Sequence, residues 1–368
     1  MSGDLVVILT AVLVAVPCAL LGTLLVLRQM SMMGDAISHA VLPGIVIAFF
    51  ISESLGPVVS VLGAGAFGIL TALLVEALRN TGRVKEDSSI GIVFTALFAL
   101  GVFLVSKFAS SVHLDLQHVL YGEIAYAPIN PLLIGTLNLG PRSLWTLGLV
   151  TVLALGLVLL LYKELKIATF DPGLAAAVGL SPMLVHYLLM GAVSVTTVGA
   201  FDSVGAILVV AFLIVPPAAA YLLTERLSHM MLLAVALSVG SAVGGYYVAA
   251  AFDVAISGMM AVVAGALFAL ALLFSPSRGL VANLMRRRRN RRSFASGLLL
   301  VKLEELGSRA TEEDLVKGLN WDRSDVSEAL RNASRHGLLR TPEAGTVALT
   351  EEGRGTAHRV LEAHAVAR

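Results

Sequence analysis

The sequence carries unusually little charge. Only 14% of its 368 residues are Asp, Glu, Lys or Arg, 57% are hydrophobic, and the mean hydropathy is +0.87. Soluble domains carry about 25% charged residues, so this composition excludes an ordinary soluble protein. The charge is also uneven, because residues 1–275 contain few charged side chains and residues 276–368 contain many. The pattern predicts a membrane domain followed by a soluble tail.

Two further absences narrow the function. The chain has one cysteine, Cys18, and this excludes an internal disulfide framework. It has no G-x-x-x-x-G-K-[ST] loop, so it does not hydrolyse a nucleotide through a P-loop of its own. Any nucleotide-driven work is therefore expected from a partner chain.

Long apolar runs fill the first three quarters of the sequence. A run of about 20 apolar residues spans the hydrocarbon core of a bilayer. Candidate spans lie at 5–27, 32–51, 57–78, 89–106, 144–162, 184–200, 204–223, 230–250 and 256–274. Because the sixth and seventh are separated by only a few residues, including Asp202, the count is eight or nine. We predict an all-α polytopic membrane domain.

Basic residues indicate the orientation. Lys and Arg favour cytoplasmic loops. Most of them follow odd-numbered spans, namely Arg28, Arg79, Arg83, Lys85, Lys163, Lys166, Arg226 and Arg278. The sequence predicts a multi-pass protein of the cell membrane with a cytoplasmic C-terminus and, with nine spans, an external N-terminus. In that arrangement Asp35 is expected nearer the cytoplasmic half of the membrane, and an eight-span arrangement with the N-terminus inside would reverse this placement.

The second span contains two ionisable residues. Residues 34–44 read GDAISHAVLPG, and a helix places Asp35 and His39 on one face. Since an ionisable side chain at the bilayer centre costs roughly 3 kcal/mol, two in one span indicate a function. Oxygen and nitrogen ligands suit Mn²⁺, Zn²⁺ or Fe²⁺ alike. The alternative is that Asp35 caps the helix and His39 bonds a neighbouring helix. Pro43 and Gly44 are expected to interrupt this helix.

Several segments together resemble one family. GDAISHAVLPG is similar to the second-helix signature of the membrane permeases of ATP-binding-cassette importers for manganese, zinc and iron, the ABC-3 type. Further similar segments are GRVKEDSSIGIVFTALFALG at 82–101, HVLYGEIAYAP at 118–128, KELKIATFDPGLAAAVGLSP at 163–182 and VGAILVVAFLIVPPAAAYLL at 204–223. The resemblance implies Asp35 and His39 as metal residues. It also implies a separate ATPase subunit, an extracytoplasmic metal-binding protein and a second permease copy or a related permease. No permanently bound cofactor and no enzymatic activity of the chain itself are expected.

A short cytoplasmic segment follows the basic pair Lys163 and Lys166. Asp171 and Pro172 form a helix start, with Asp as the N-cap and Pro at the first position. The resemblance implies that this helix, with Asp171, Pro172, Ala175 and Gly179, couples the permease to the ATPase. An ordinary interfacial helix is the alternative.

The polar segment 108–143 is predicted to be a loop with a short helix outside the membrane. It contains His118 and Glu123, which a docked metal-binding protein would contact. Solvated surface residues are the alternative.

The tail begins with a basic run, Arg286–Arg289 with Arg291 and Arg292, which predicts contact with anionic lipid headgroups. We predict a permease domain at 1–278, a basic linker at 279–293 and a cytoplasmic domain at 294–368. The last has the predicted order helix, helix, helix, hairpin, helix of an α+β winged-helix domain.

This last domain resembles the N-terminal domain of manganese- and iron-dependent repressors, most closely in LTEEGRGTAHRVLEAH. The resemblance places His364 at a metal-ligand position, a possible regulatory metal site, but the other ligands have no evident counterparts. Residues 293–368 hold ten Lys and Arg against twelve Asp and Glu, so nucleic acid is not an expected partner.

Three hypotheses follow. The first is the permease subunit of an ATP-driven metal importer, with manganese favoured over zinc and iron. The second is a secondary transporter or channel that works alone. The third is a membrane-tethered metal-responsive regulator.

Overall fold

The computed structural model describes residues 2–52, 57–108, 124–129, 131–134, 137–276, 278–307, 309–343 and 346–366. These residues form two compact units, Met1–Pro276 and Ser277–Arg368. The predicted domain boundaries at 278 and 293 remain predictions.

The first unit is built from long apolar helices. Within the described residues, nine helices are long and apolar enough to cross a membrane. They lie in α1 (Gly3–Leu27), α2 (Met33–Ser52), α3 (Pro57–Asn80), α4 (Glu86–Phe108), α5 (Arg142–Leu160), α8 (Pro182–Val204), α9 (Ala206–Leu223), α10 (Leu227–Phe252) and α11 (Ile256–Phe274). The prediction of an all-α polytopic membrane protein is confirmed.

Gly205 alone separates α8 from α9. Its φ of 81° and ψ of 161° are open to glycine and strained for other residues. One residue therefore ends one helix and begins the next. Both helices qualify as membrane spans, which explains why the sequence pattern left eight and nine spans open.

Contacts near the helix ends show which ends lie side by side. His186 in the first turn of α8 lies beside Glu76 near the end of α3. Ser275, which follows α11, donates a hydrogen bond to the carbonyl of Leu222 near the end of α9. At the opposite end, Gly3 of α1 lies against Pro128.

Short elements lie at the two ends of the helices. A 3-10 helix, Ile124–Ile129, precedes an antiparallel hairpin of β1 (Pro131–Ile134) and β2 (Leu137–Pro141). At the other end, α6 (Tyr162–Phe170) and α7 (Pro172–Ala177) connect α5 to α8.

The second unit combines four helices with a small antiparallel sheet. Its elements are α12 (Leu280–Glu305), β3 (Arg309–Thr311), α13 (Glu312–Leu319), α14 (Arg323–Arg335), β4 (Leu339–Glu343), β5 (Thr346–Leu349) and α15 (Glu351–Val366). The strand order is β3-β5-β4. The core contains Leu299, Leu300, Leu303, Leu315 and Val326. All four predicted helices and the hairpin are present, whereas β3 was not predicted. Membership of the winged-helix class stays a prediction.

The basic stretch 279–293, predicted as a linker, is almost entirely helical. α12 runs without a break from Leu280 into the core of the second unit, so the predicted boundary at 293 falls inside a helix. Arginine has a high helix propensity, and an arginine run therefore continues a helix readily.

Candidate metal site and coupling segment

Asp35 and His39 meet on one face of α2, as predicted. The Nε2 atom of His39 lies 3.6 Å from the Oδ1 atom of Asp35. The side chains are 33% exposed for His39 and 39% exposed for Asp35. Nε2 and Oδ1 therefore lie close together, and both side chains are open to solvent or to a neighbouring molecule.

Two phenylalanines of α4 hold the imidazole in place. The ring centroid of His39 lies 5.7 Å from that of Phe94 and 5.5 Å from that of Phe98, the second in an edge-on arrangement. Such ring contacts restrict rotation of the imidazole. They therefore help to keep Nε2 directed at Asp35.

The pair lies near the middle of the helix bundle. Ile37 lies between the two residues in sequence. A Cβ atom on Gly68 would lie 3.3 Å from Cγ2 of Ile37 and would overlap the side chain of Ser194. Gly68 and Ser194 are close to the midpoints of α3 and α8. α2 therefore begins deep within the bundle, and the expectation that Asp35 lies nearer the cytoplasmic half of the membrane stays a prediction.

The immediate surroundings add few further ligands. Ser38 donates its hydroxyl hydrogen to the carbonyls of Gly34 and Asp35, at 3.1 and 2.7 Å, which occupies that hydrogen within the helix. Among the described residues, no group of three or more His, Cys, Asp and Glu side chains comes together. Asp35 and His39 thus form a two-residue candidate half-site for a metal.

α2 is continuous, contrary to the expected interruption at Pro43. The proline lies inside the helix, and Gly44 packs against Gly63 of α3. A proline removes one backbone hydrogen bond, and packing against neighbouring helices can offset that loss.

The predicted helix start at Asp171 is confirmed. The Asp171 carboxylate accepts a hydrogen bond from the backbone N–H of Leu174 at 2.9 Å, and Pro172 is the first residue of α7. Gly179 follows with φ of 87°, and its N–H bonds the carbonyl of Ala176. This left-handed residue ends the segment sharply.

Ala175 differs from the other residues predicted for coupling. It is fully buried, so it packs α7 against the rest of the unit and does not face outward. Phe170, Leu174 and Val178 are each more than half exposed and form the apolar surface of the segment. We call residues 170–179, with this surface, the coupling segment.

Three predicted site residues cannot be placed in the site. His118 and Glu123 lie outside the described residues. His364 belongs to α15, and its side chain is likewise not described.

Sequence reasoning missed two pairs of histidine with glutamate. His186 lies 3.5 Å from Glu76, and His358 lies 3.2 Å from Glu304. Each pair joins two helices distant in sequence, so no local spacing could have indicated it.

In the part of the chain that the structure describes, nine membrane-length helices and a partly exposed Asp–His pair at mid-depth of the bundle define a polytopic membrane protein with a candidate cation site. The sequence profile of the ABC 3 transport family matches residues 5–275, and the chain belongs to this family. Its members are transport permeases and are not themselves catalytic.

Known relatives support the assignment. The manganese transport system membrane protein MntD of Bacillus subtilis is 50% identical over 286 residues, covering 78% of this chain and 97% of the relative. The zinc transport system membrane protein TroD of Treponema pallidum is 44% identical over 362 residues, covering 97% and 98%. A solved structure of PsaBC from Streptococcus pneumoniae in complex with Fab aligns with a TM-score of 0.61 at 33% identity, covering 74% of this chain and 91% of that one. The similarity to TroD therefore extends through the second unit.

Proposed function

We propose that this chain is the membrane permease of an ATP-driven importer of divalent metal, and that its cargo is Mn²⁺. The observation that carries the proposal is the Asp35–His39 half-site at mid-depth of the helix bundle. A carboxylate and an imidazole bind divalent transition metals, whereas both are costly in contact with lipid.

The exposure of the half-site supports a second permease. Asp35 and His39 are about one-third exposed at membrane depth, and lipid would leave both without polar partners. A second copy of this chain, or a related permease, covers that face. The ion then passes between the two permeases, and Asp35 and His39 bind it on the way.

The coupling segment supports a separate ATPase. The chain has no P-loop, and the segment presents Phe170, Leu174 and Val178 at the end of the bundle where basic residues accumulate. Exposed apolar surface outside the bilayer is typical of a protein contact. Asp171, Pro172 and Gly179 give this surface its shape, and Ala175 anchors it.

Charge distribution supports the orientation and the remaining partners. Basic residues follow the odd-numbered spans, so the coupling segment and the C-terminus are cytoplasmic. Metal is delivered on the other side by an extracytoplasmic binding protein, which contacts the segment containing His118 and Glu123. The arginine run of α12 contacts anionic lipid.

The choice of Mn²⁺ rests on similarity. The relative MntD is named as a manganese transport protein, whereas TroD, which also matches the second unit, is named as a zinc transport protein. Because the ligands of the half-site suit either ion, uptake measurements must identify the transported metal.

The test is metal uptake by cells that lack the protein. We expect Mn²⁺ uptake to fall by more than about ten-fold and to return with a plasmid copy, and we expect the tagged permease to co-purify with an ATPase chain. Unchanged uptake of Mn²⁺ with reduced uptake of Zn²⁺ would reassign the cargo. Transport by the purified chain without any ATPase would favour a stand-alone transporter and contradict the proposal.

A further inference from the structure

Two polar contacts flank the coupling segment in sequence, one before it and one after it. Thr169 of α6 lies two residues before Asp171, and His186 of α8 lies five residues after Ser181. Each side chain contacts a different membrane helix. On the basis of the function proposed above, we propose that Thr169 and His186 are positioning residues that transmit movement of the coupling segment to α1 and α3.

The first contact joins α6 to α1. The Nε atom of Arg28, the residue that ends α1, donates a hydrogen bond to Oγ1 of Thr169 at 3.1 Å. Nη2 of Arg28 is buried and has no hydrogen-bond partner among the described residues. A hydrogen bond from an ionised donor is roughly twice as strong as a neutral one, so Thr169 is a substantial partner for Arg28.

The second contact joins α8 to α3. Nε2 of His186 lies 3.5 Å from Oε2 of Glu76, and the side chains are only 13% and 20% exposed. Arg79, one turn further along α3, donates to the other carboxylate oxygen of Glu76 at 2.8 Å. The Arg79–Glu76 bond fixes the carboxylate in a site largely shielded from water. Nε2 of His186 is buried without a hydrogen-bond partner within the described ranges, so its approach to this carboxylate is its one polar contact there.

The surrounding charges argue against a metal site at this pair. Arg28 and Arg79 both lie close enough to His186 to act electrostatically on its ring. Two guanidinium groups repel a divalent cation, so a structural contact accounts for the pair better than coordination does.

The contacts provide a continuous path to the half-site. α3, which His186 reaches through Glu76, packs against α2 at Gly63 and Gly44. α2 carries Asp35 and His39. A displacement of the coupling segment is therefore delivered to the helix that holds the metal ligands through packed elements. Ala175 is the one residue within α7 that is buried, so the flanking contacts carry much of this connection.

The test uses the full permease–ATPase complex in vesicles and measures the number of metal ions moved per ATP hydrolysed. Thr169→Val removes the hydroxyl while keeping the side-chain shape. We expect this ratio to fall about five-fold, the effect of one hydrogen bond, while ATP hydrolysis continues. Thr169→Ser should restore the ratio, because it restores the hydroxyl. His186→Phe should lower the ratio, and His186→Gln should retain part of it.

The matched control is Thr197→Val. Thr197 is buried in α8, and its hydroxyl bonds only the carbonyl of Val193 in the same helix. A wild-type ratio in Thr197→Val and a reduced ratio in Thr169→Val supports the inference. Equal ratios in wild type, Thr169→Val and His186→Phe overturn it.

Two further outcomes are informative. If Thr169→Val does not assemble, the comparison of His186→Phe with His186→Gln decides, since identical ratios in these two overturn the role of the second contact. A wild-type complex that hydrolyses ATP without moving metal contradicts the proposed function itself. Failure of the inference is thereby distinguished from failure of the function.

Discussion

The backbones of Gly44 in α2 and Gly63 in α3 touch. A Cβ atom on Gly44 would lie 2.5 Å from the carbonyl oxygen of Gly63, and a Cβ atom on Gly63 would lie 2.5 Å from the carbonyl oxygen of Gly44. Close approach of this kind is a common basis of helix association in lipid. Since Gly44 lies five residues after His39, the contact also helps to position the proposed metal half-site.

We expect Gly44→Ala to destabilise the membrane unit by about 1–3 kcal/mol, because the added methyl group meets backbone that cannot move aside. Thermal unfolding of the purified protein measures this. Gly65→Ala is the matched control, since a Cβ there has no neighbour within 4 Å. Equal destabilisation by both substitutions would show that the α2–α3 contact has no special role.

We expect Asp35→Ala and His39→Ala each to reduce metal uptake by more than about ten-fold, because each removes one of two converging ligands. Membrane insertion and co-purification with the ATPase should be unchanged. Ser38→Ala should retain uptake, because its hydroxyl hydrogen is bound to helix carbonyls. Normal uptake of Mn²⁺, Zn²⁺ and Fe²⁺ by both ligand variants would exclude the half-site.

We expect Gly179→Ala to lower metal moved per ATP hydrolysed. With φ of 87°, an alanine there costs about 1 kcal/mol even though space for its Cβ is open. Asp171→Lys should act in the same direction by removing the N-cap of α7. Gly156→Ala of α5 is the control, because it has open space and no positive φ. Unchanged coupling in both variants would contradict docking at this segment.

We expect removal of residues after Ser293 to leave the membrane unit inserted, because its helices form a separate compact unit. The cut removes Leu299, Leu300 and Leu303 and therefore the core of the second unit. By the resemblance to metal-dependent repressors, we expect this unit, with His364, to slow uptake when cytoplasmic metal is plentiful. Without it, uptake should no longer depend on internal metal. Uptake measured at low and high internal metal tests this, and identical behaviour of both forms would refute it.

We expect the first turn of α13 to loosen in acid. The Asp314 carboxylate accepts hydrogen bonds from the hydroxyl and the N–H of Thr311, at 2.6 and 3.1 Å. These bonds hold the pKa of Asp314 below its usual value. The stabilisation is present above the ordinary pKa of Asp and is lost as pH falls through the lowered folded-state pKa.

Hydrogen exchange of the full-length protein, corrected for intrinsic rates, measures this loosening. Protection across residues 312–319 should fall between neutral pH and about pH 3. Thr311 and Asp314 form a capping box, in which each side chain bonds the other residue's backbone N–H. Thr311→Val should show lower protection at neutral pH and a smaller acid response, because it removes the hydroxyl bonds of this box. An acid response of the same size in wild type and variant would show that the capping box is not its cause.

Local patterns predicted much of the architecture. Runs of apolar residues identified the membrane helices, the Asp-Pro pair identified the start of α7, and the spacing of Asp35 and His39 placed them on one face. Each of these depends on residues a few positions apart, and helix periodicity and capping are determined at that range.

The sequence by itself therefore determined the class of the protein, the placement of its helices and the shared helix face of Asp35 and His39, the proposed half-site. Only the tertiary structure decided that the half-site lies at mid-depth, that Ala175 is buried, and that Glu76 meets His186. These features depend on which helices become neighbours. That choice comes from side-chain packing between segments far apart in the chain, as at Gly44 and Gly63, and no local spacing encodes it.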